Sequence, residues 1–326
     1  MKAIVVHAGE PAPSLRWEPV ADPDPGEGEV LVEVRATAVN RADLLQARGL
    51  YPPPPGVTGI LGLEMCGIVR ALGPGAYGWA PGDRVMGLLA GGGYAETVAV
   101  HEGLLMRLPD GWSFRQGAAV PEAWLTAFLN LFLEGELSEG QSVLVHAGAS
   151  GVGTAAIQLA REARARVFAT AGSAAKLDAC RALGADVAVD YKTGDFVAEI
   201  KAATGGRGVD LVLDLVGASC FKGNLAVLAT GGRLVTIGLM GGTRAELDLG
   251  VLLGKSLRLI GSRLRPRPLV EKVDLVRRFS DRFLPLLASG RLRPVVDRAF
   301  PISEAEAAHA YVRENRNVGK VVLEMP

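Results

Sequence analysis

Apolar residues follow two rhythms along this chain. In the first third they come in short, partly alternating runs, which predict strands over residues 2–6, 30–36, 67–71, 84–88 and 95–100. Turns rich in Pro and Gly, such as Pro23-Asp24-Pro25-Gly26, separate these runs. One helical patch over residues 41–48 interrupts them, begun by Asn40 and stopped by Gly49. Tyr51 and the prolines Pro52 to Pro55 then predict a stiff extended loop.

From Phe114 the spacing turns helical, and strand and helix alternate. A helix is predicted over 118–134, with Pro121 near its start or kinking it. Strands are predicted over 143–146, 166–169, 187–190, 211–214, 232–237 and 257–261, and helices over 154–164, 174–183, 196–203, 221–228 and 247–253. Six strands with crossover helices imply a doubly wound parallel sheet, covered on both faces. The tail differs again: an amphipathic helix over 270–289, a strand over 295–300, a helix over 303–315 and a strand over 320–323. That last strand has no room for a sheet of its own, so it is expected to return to the β-rich part. The expected class is α/β: a β-rich catalytic domain at 1–113, a cofactor domain at 114–262, and a return to the catalytic domain at 263–326.

The sharpest local signal is SVLVHAGASGVG, Ser142 to Gly153. An apolar run ends at His146, a glycine-rich turn follows, and an amphipathic helix begins. Strand, glycine turn and helix are the context of a dinucleotide site. The tight turn lets the backbone approach a pyrophosphate, and the new helix faces it with free N–H groups. Gly148, Ser150, Gly151, Val152 and Gly153 are the candidate phosphate contacts, Ser150 standing where the usual second glycine would be. The competing explanation is a plain strand-to-helix turn.

Composition narrows the classes. The chain has 326 residues, 49% of them hydrophobic, with 35 Lys+Arg against 35 Asp+Glu. That balance gives no electrostatic reason to expect nucleic acid or an anionic membrane as the main partner. No apolar run reaches transmembrane length, and the start, MKAIVVHAGEPAP, has too short an apolar core for a signal peptide. A soluble cytoplasmic protein is expected. Cys66, Cys180 and Cys220 are too scattered for a disulfide framework or a metal site.

Several stretches carry a resemblance. Asp22 to Val34 (DPDPGEGEVLVEV), Ala38 to Asp43 (AVNRAD), Leu61 to Glu64 (LGLE) and Gly82 to Val85 (GDRV) resemble the GroES-like half of medium-chain dehydrogenases/reductases. Gly140 through Gly153 to Gln158 and Arg161 is similar to the quinone oxidoreductase (zeta-crystallin) signature. Pro121-Glu-Ala-Trp-Leu-Thr-Ala-Phe, Gly238-Leu-Met-Gly-Gly and Asn317-Val-Gly-Lys resemble the branch that includes the p53-inducible quinone oxidoreductase and its bacterial relatives. The resemblance implies a GroES-like domain joined to a Rossmann domain, meeting at a cleft, and hydride transfer from a nicotinamide cofactor to quinones. An enoyl or enone reductase of the same family, or an NADPH-binding structural or RNA-binding crystallin-like protein, is the alternative it leaves.

Zinc-dependent relatives carry Cys and His ligands where this chain has Asn40 and Leu63, and a third ligand near Glu122. An amide and an alkyl group do not replace thiolate and imidazole, so no metal is expected. Cofactor choice is set after the second strand of the parallel sheet, where a carboxylate would suit NAD. The chain has no acid there, but Gly172, Ser173 and Lys176, with Tyr191 after the third strand. The resemblance puts Ser173, Lys176 and Tyr191 around a 2′-phosphate, hence NADPH. It also puts the backbone of Gly238, Leu239 and Met240 by the nicotinamide ribose and carboxamide, and turns Thr126 toward the nicotinamide. Asn40 is a candidate for holding the nicotinamide or a substrate carbonyl, or else a helix cap. Tyr51 is the candidate for a flat substrate, or else a surface aromatic. The run from Leu257 to Ser262 is apolar with few edge-blocking charges, and a homodimer is expected through it.

Overall fold

The structure is a computed structural model that describes residues 1–9 and 13–326. It divides into two compact units, Met1–Leu125 with Arg265–Pro326, and Thr126–Leu264.

The first unit opens with β1 (Lys2–His7), paired antiparallel with β2 (Ser14–Pro19). Nothing in the apolar pattern marks β2, because Leu15 is its only buried position. β3 (Glu29–Ala38) alternates cleanly, with Val30, Val32, Val34 and Ala36 facing the core. After α1 (Arg41–Ala47) come β4 (Glu64–Leu72), β5 (Arg84–Leu88), β6 (Thr97–His101) and β7 (Leu105–Arg107).

α2 (Phe114–Ala118) packs on β3, β4 and β5. It lies so close that a Cβ on Gly117 would sit 2.4 Å from Cys66 Sγ. This contact holds α2 in the first unit, so the chain leaves that unit at Leu125/Thr126 rather than at residue 113. The helix expected over 118–134 runs from Pro121 to Leu133, three residues shorter at its start. α3 (Pro121–Phe128) starts with Pro121 at its first position, where the missing N–H is not needed, and a π-helical turn, Leu129–Leu133, follows.

The second unit carries β8 (Ser142–Val145), α4 (Gly151–Glu162), β9 (Arg166–Ala171), α5 (Ala174–Leu183), β10 (Val187–Asp190), α6 (Phe196–Ala203), β11 (Val209–Asp214), α7 (Ala218–Val227), β12 (Leu228–Thr236), α8 (Leu249–Gly254) and β13 (Arg258–Gly261). Its sheet runs in the order β10-β9-β8-β11-β12-β13, every pair parallel. The glycine turn therefore leaves β8 at the point where the strand order reverses.

The chain then re-enters the first unit through α9 (Leu269–Ala288), β14 (Val296–Pro301), α10 (Ala305–Arg313) and β15 (Lys320–Glu324). As expected, β15 joins the first sheet, antiparallel to β3 and parallel to β14. Ile4, Leu61 and Tyr94 share one core cluster with Ile302, Ala308, Val321 and Leu323, so early and late segments of the chain are packed together. Among the described residues no helix is long and apolar enough to cross a membrane.

Candidate active site

Two of the three glycines of the turn after β8, Gly148 and Gly153, are demanded by close approach. A Cβ on Gly148 would lie 2.9 Å from Ala169 Cβ and from Cys180 Sγ, and one on Gly153 would lie 2.3 Å from the Ala147 carbonyl oxygen. Ala147 itself sits in the left-handed region at φ 50°, a strained conformation for alanine. Ser150 caps α4, its Oγ accepting the Gly153 N–H at 3.0 Å. Serine at the expected glycine position thus fixes the helix start. Gly151 and Val152 open the helix, where N–H groups have no partner within it. The result is a cradle of bare backbone at a helix N-terminus, which fits a pyrophosphate.

The neighbouring strand ends complete this surface. Gly172 lies under the Tyr191 ring, where a Cβ would meet the ring and its hydroxyl at 2.8 Å. Tyr191 remains 57% exposed. Ser173 begins α5 without a side-chain cap bond and is exposed, and Lys176 stands in the first turn beyond it. A Cβ on Gly238 would lie 2.4 Å from the Leu215 carbonyl oxygen, so the Gly238, Leu239 and Met240 loop rests against the loop leaving β11.

A buried polar relay holds these loops. Asp214 accepts the amides of Val216 and Gly217 at 2.7 and 3.0 Å and the Asn224 amide group at 3.1 Å. Asn224 Oδ1 is 2.7 Å from His146 Nε2, and His146 Nδ1 is 2.9 Å from Thr170 Oγ1. Burial lowers the His146 pKa, which keeps the ring neutral. The pattern assigns the proton to Nε2, donating to Asn224, with Thr170 donating to Nδ1. The relay ties β8, β9, β11 and α7 together beneath the cradle.

A second polar cluster lies in the first unit. Lys320, the first residue of β15, is 4% exposed, and its Nζ donates to Asn40 Oδ1 at 2.7 Å and the Val39 carbonyl at 3.0 Å. It also pairs with Glu64 Oε1 at 2.7 Å. Glu64 further accepts the Asn40 amide group at 2.8 Å and, through Oε2, the Glu122 N–H at 2.9 Å. Asp43 accepts the backbone amides of Asn40 and Gly62 at 2.8 and 3.0 Å. Tyr94 OH lies between Asp43 Oδ2, at 3.5 Å, and His309 Nε2, at 3.0 Å.

This network defines Asn40. Both its amide protons are engaged, by Glu64 and by the Ala38 carbonyl at 3.3 Å. Oδ1 keeps one lone pair beside the Lys320 bond. Asn40 can therefore accept from a carboxamide N–H but has no proton for a substrate carbonyl.

Burial also sets the protonation states. It pushes the Asp43 carboxyl up to about 6, against the pull of its two amide donors. It pushes Glu122 up to about 8, with Glu64 and Asp43 adding to the effect and Lys320 and Arg265 opposing it. His309 is pushed down to about 4 by burial and by Arg313. Glu122 is thus a neutral acid at pH 7, and its carboxyl has no hydrogen bond among the described residues. The sequence, read alone, marks Glu122 only as a position beside a lost zinc ligand and not as an acid.

Tyr51 lies 5.3 Å, centroid to Cζ, beneath the guanidinium of Arg265. Arg265 is 4% exposed and is held by the Ala90 carbonyl at Nε and by Gln46 Oε1 at Nη2, both at 2.7 Å. Thr126 stands in α3, its carbonyl accepting the Asn130 amide at 2.8 Å, and its hydroxyl has no partner among the described residues. Lys320 is the last residue of the Asn317-Val-Gly-Lys stretch and Glu122 the second of Pro121-Glu-Ala, so both carried a sequence signal. Arg265 carried none, lying among the prolines and arginines of a tail stretch with no periodicity.

A family model for the alcohol dehydrogenase GroES-like domain matches residues 26–110, and one for zinc-binding dehydrogenases matches 151–278. The pikromycin polyketide synthase component PikAII of Streptomyces venezuelae is 39% identical over 93% of the chain, which spans only 8% of that much longer protein. The human synaptic vesicle membrane protein VAT-1 homolog is 35% identical, over 95% of this chain and 82% of its own length. Among solved structures, a mycobacterial protein complexed with NADPH superposes with a TM-score of 0.89 at 32% identity, covering 99% of this chain and all of the other. A Pseudomonas syringae quinone oxidoreductase gives 0.88 at 28%, with coverage of 99% and 100%. The CurK enoyl reductase gives 0.83 at 32%, with coverage of 96% and 95%.

Zinc, which one family's name implies, does not fit here. Leu63 has no donor atom, Asn40 Oδ1 is bonded to an ammonium, and Lys320 holds a positive charge at the centre of the cluster. Among the described residues no three His, Cys, Asp or Glu side chains gather as a metal site. With a GroES-like sheet, a doubly wound parallel sheet and relatives matched along nearly its whole length, the chain belongs to the medium-chain dehydrogenase/reductase family.

Proposed function

We propose that the chain is a zinc-free, NADPH-dependent oxidoreductase that reduces quinones or related conjugated carbonyl compounds. One observation carries the cofactor choice: the end of β9 offers Ser173, Lys176 and the Tyr191 ring, and no carboxylate. The solved NADPH complex and the quinone oxidoreductase among the structural relatives support the reading.

The cofactor, when bound, supplies a hydride at its nicotinamide ring. The protein does the rest. Gly148, Ser150, Gly151, Val152 and Gly153 would hold the pyrophosphate, and Gly172, Ser173, Lys176 and Tyr191 the 2′-phosphate. The backbone of Gly238, Leu239 and Met240, with Thr126, would hold the ribose and carboxamide; in the first unit Asn40 Oδ1 keeps an acceptor position for an N–H donor. Tyr51 gives a flat acceptor a ring face.

A second reading, reduction of an enone carbon–carbon double bond, is favoured by Glu122. An enolate needs a proton more than a hydroquinone anion does, and a protonated carboxyl is suited to give it. The enoyl reductase among the structural relatives supports this reading. Following NADPH oxidation with a quinone, with an enone and with no acceptor separates the cases. Turnover on the quinone with Tyr51→Phe reduced less than about tenfold is the expected result. Faster turnover on the enone puts the second reading first, and oxidation with neither leaves an NADPH-binding structural protein.

A further inference from the structure

We propose that Arg265 is the oxyanion-binding residue of the acceptor site, its Nη1 taking the carbonyl oxygen of a flat conjugated carbonyl compound. The proposal rests on the hydride-transfer reading but not on the choice between quinone and enone.

A guanidinium has five N–H donors in a rigid plane. In Arg265 two nitrogens are fixed, Nε on the Ala90 carbonyl and Nη2 on Gln46 Oε1. The third, Nη1, is buried and has no partner among the described residues. An unmade bond of a charged, buried group is costly, so an orphan of this kind calls for a ligand. Lys320 and Asn40, the other nitrogen donors beside it, have nothing left to give. All three Lys320 protons are engaged, by Glu64, Asn40 and the Val39 carbonyl, and so are both Asn40 amide protons.

The surroundings define the ligand. The Tyr51 ring lies over one face of the guanidinium, so the wall beside Nη1 is aromatic and suits a flat conjugated molecule. Arg265 also feels the charges of Asp43 and Glu122, and Lys272 on α9 feels both Glu122 and Arg265. Hydride transfer delivers two electrons and one hydrogen nucleus to the acceptor, and the negative charge left behind resides on its oxygen, as a hydroquinone monoanion or an enolate. Nη1 meets that charge without giving up its proton, and the second proton of the reduction comes from Glu122 or solvent. A donor fixed before the charge develops is the arrangement that lowers such barriers most.

The test uses 4-nitrophenol, whose flat ring carries an ionisable oxygen and whose two forms absorb differently. It is titrated on the full chain with and without NADP⁺, beside turnover with a quinone and an enone. Bound probe should ionise about one pH unit below free probe, a tenfold preference for the anion. Arg265→Gln should abolish that shift and lower kcat about 10²–10³-fold, whereas Arg265→Lys keeps part of both. Lys272→Met should keep the shift. Circular dichroism checks that each variant is folded, and if Arg265→Gln is not, the wild-type shift and the Arg265→Lys and Lys272→Met arms carry the test. A bound probe that ionises like free nitrophenol in the wild type means that only water meets Nη1, and overturns the proposal. So does a shift that survives Arg265→Gln or disappears in Lys272→Met. Turnover without a probe shift removes Arg265 and leaves the enzyme; a probe shift without turnover on either acceptor leaves the oxyanion site and removes the hydride-transfer reading.

Discussion

Lys320 Nζ and Glu64 Oε1 lie 2.7 Å apart, with 5% and 0% of their side chains exposed. A dry ion pair gains little over an apolar pair of the same volume, but breaking it strands a charge. Lys320→Met should therefore lower unfolding free energy by about 3–5 kcal/mol, read from urea denaturation, and adding Glu64→Gln should recover much of it. A loss below about 1 kcal/mol in the single variant would show that water reaches the pair.

Purified protein should contain no stoichiometric zinc, because an ammonium occupies the centre of the cluster. Elemental analysis checks this. One zinc per chain, with activity lost to a chelator, would reverse the reading.

NADPH should be preferred to NADH. A charge-assisted hydrogen bond to phosphate is worth about 1.5–3 kcal/mol, so Lys176→Ala should reduce the ratio of kcat/KM values about ten- to hundredfold. An unchanged ratio removes Lys176 from the 2′-phosphate site.

Glu122 ionises at about 8 in the folded chain, against an ordinary glutamate value of about 4.3. The folded state holds this proton more tightly. The stability the group contributes is complete below about pH 4.3 and is lost as pH rises toward 8. Asp43, raised to about 6, acts in the same direction over a lower range. His309, lowered to about 4, acts the opposite way, losing stability as pH falls from about 6.5 to 4. Glu122→Gln should flatten the decline in denaturation midpoint between about pH 6 and 8, and remove the basic limb of the enone-reduction rate profile. A limb that persists in the variant assigns the proton to another group.

A dimer should form through β13. This strand is the outer edge of the parallel sheet, and Arg258, Leu259 and Gly261 are exposed along it. An unpaired apolar edge favours antiparallel pairing about a two-fold axis. Sedimentation at micromolar concentration should show two chains, and Leu259→Lys should shift the balance to one.

The cofactor unit was largely legible, because strand and helix periods alternate there and Gly148 and Gly153 of the turn have a steric reason in their neighbours. The catalytic unit was only partly legible. β2 buries one residue and leaves no period, and α2 was not marked, because the buried apolar residues Ala118 to Val120, at and beyond its end, read as the start of the helix that follows. Asn40 was found but its chemistry was not: its partners Glu64 and Lys320 lie far along the chain, and no spacing rule connects them. Arg265 was invisible, since an arginine in a stretch of alternating arginines and prolines without periodicity reads as surface until the fold encloses it.

The return of β15 to β3 has a consequence for biosynthesis. Asp43, Glu64 and Tyr94 are translated well before their partners His309 and Lys320, which follow more than about 200 residues later. Thr126–Leu264 is continuous in sequence and can fold as soon as it emerges. The half encoded first must wait, its carboxylates unmatched and the flank of β3 open, until β15 arrives. The unit whose synthesis starts first is therefore the one completed last.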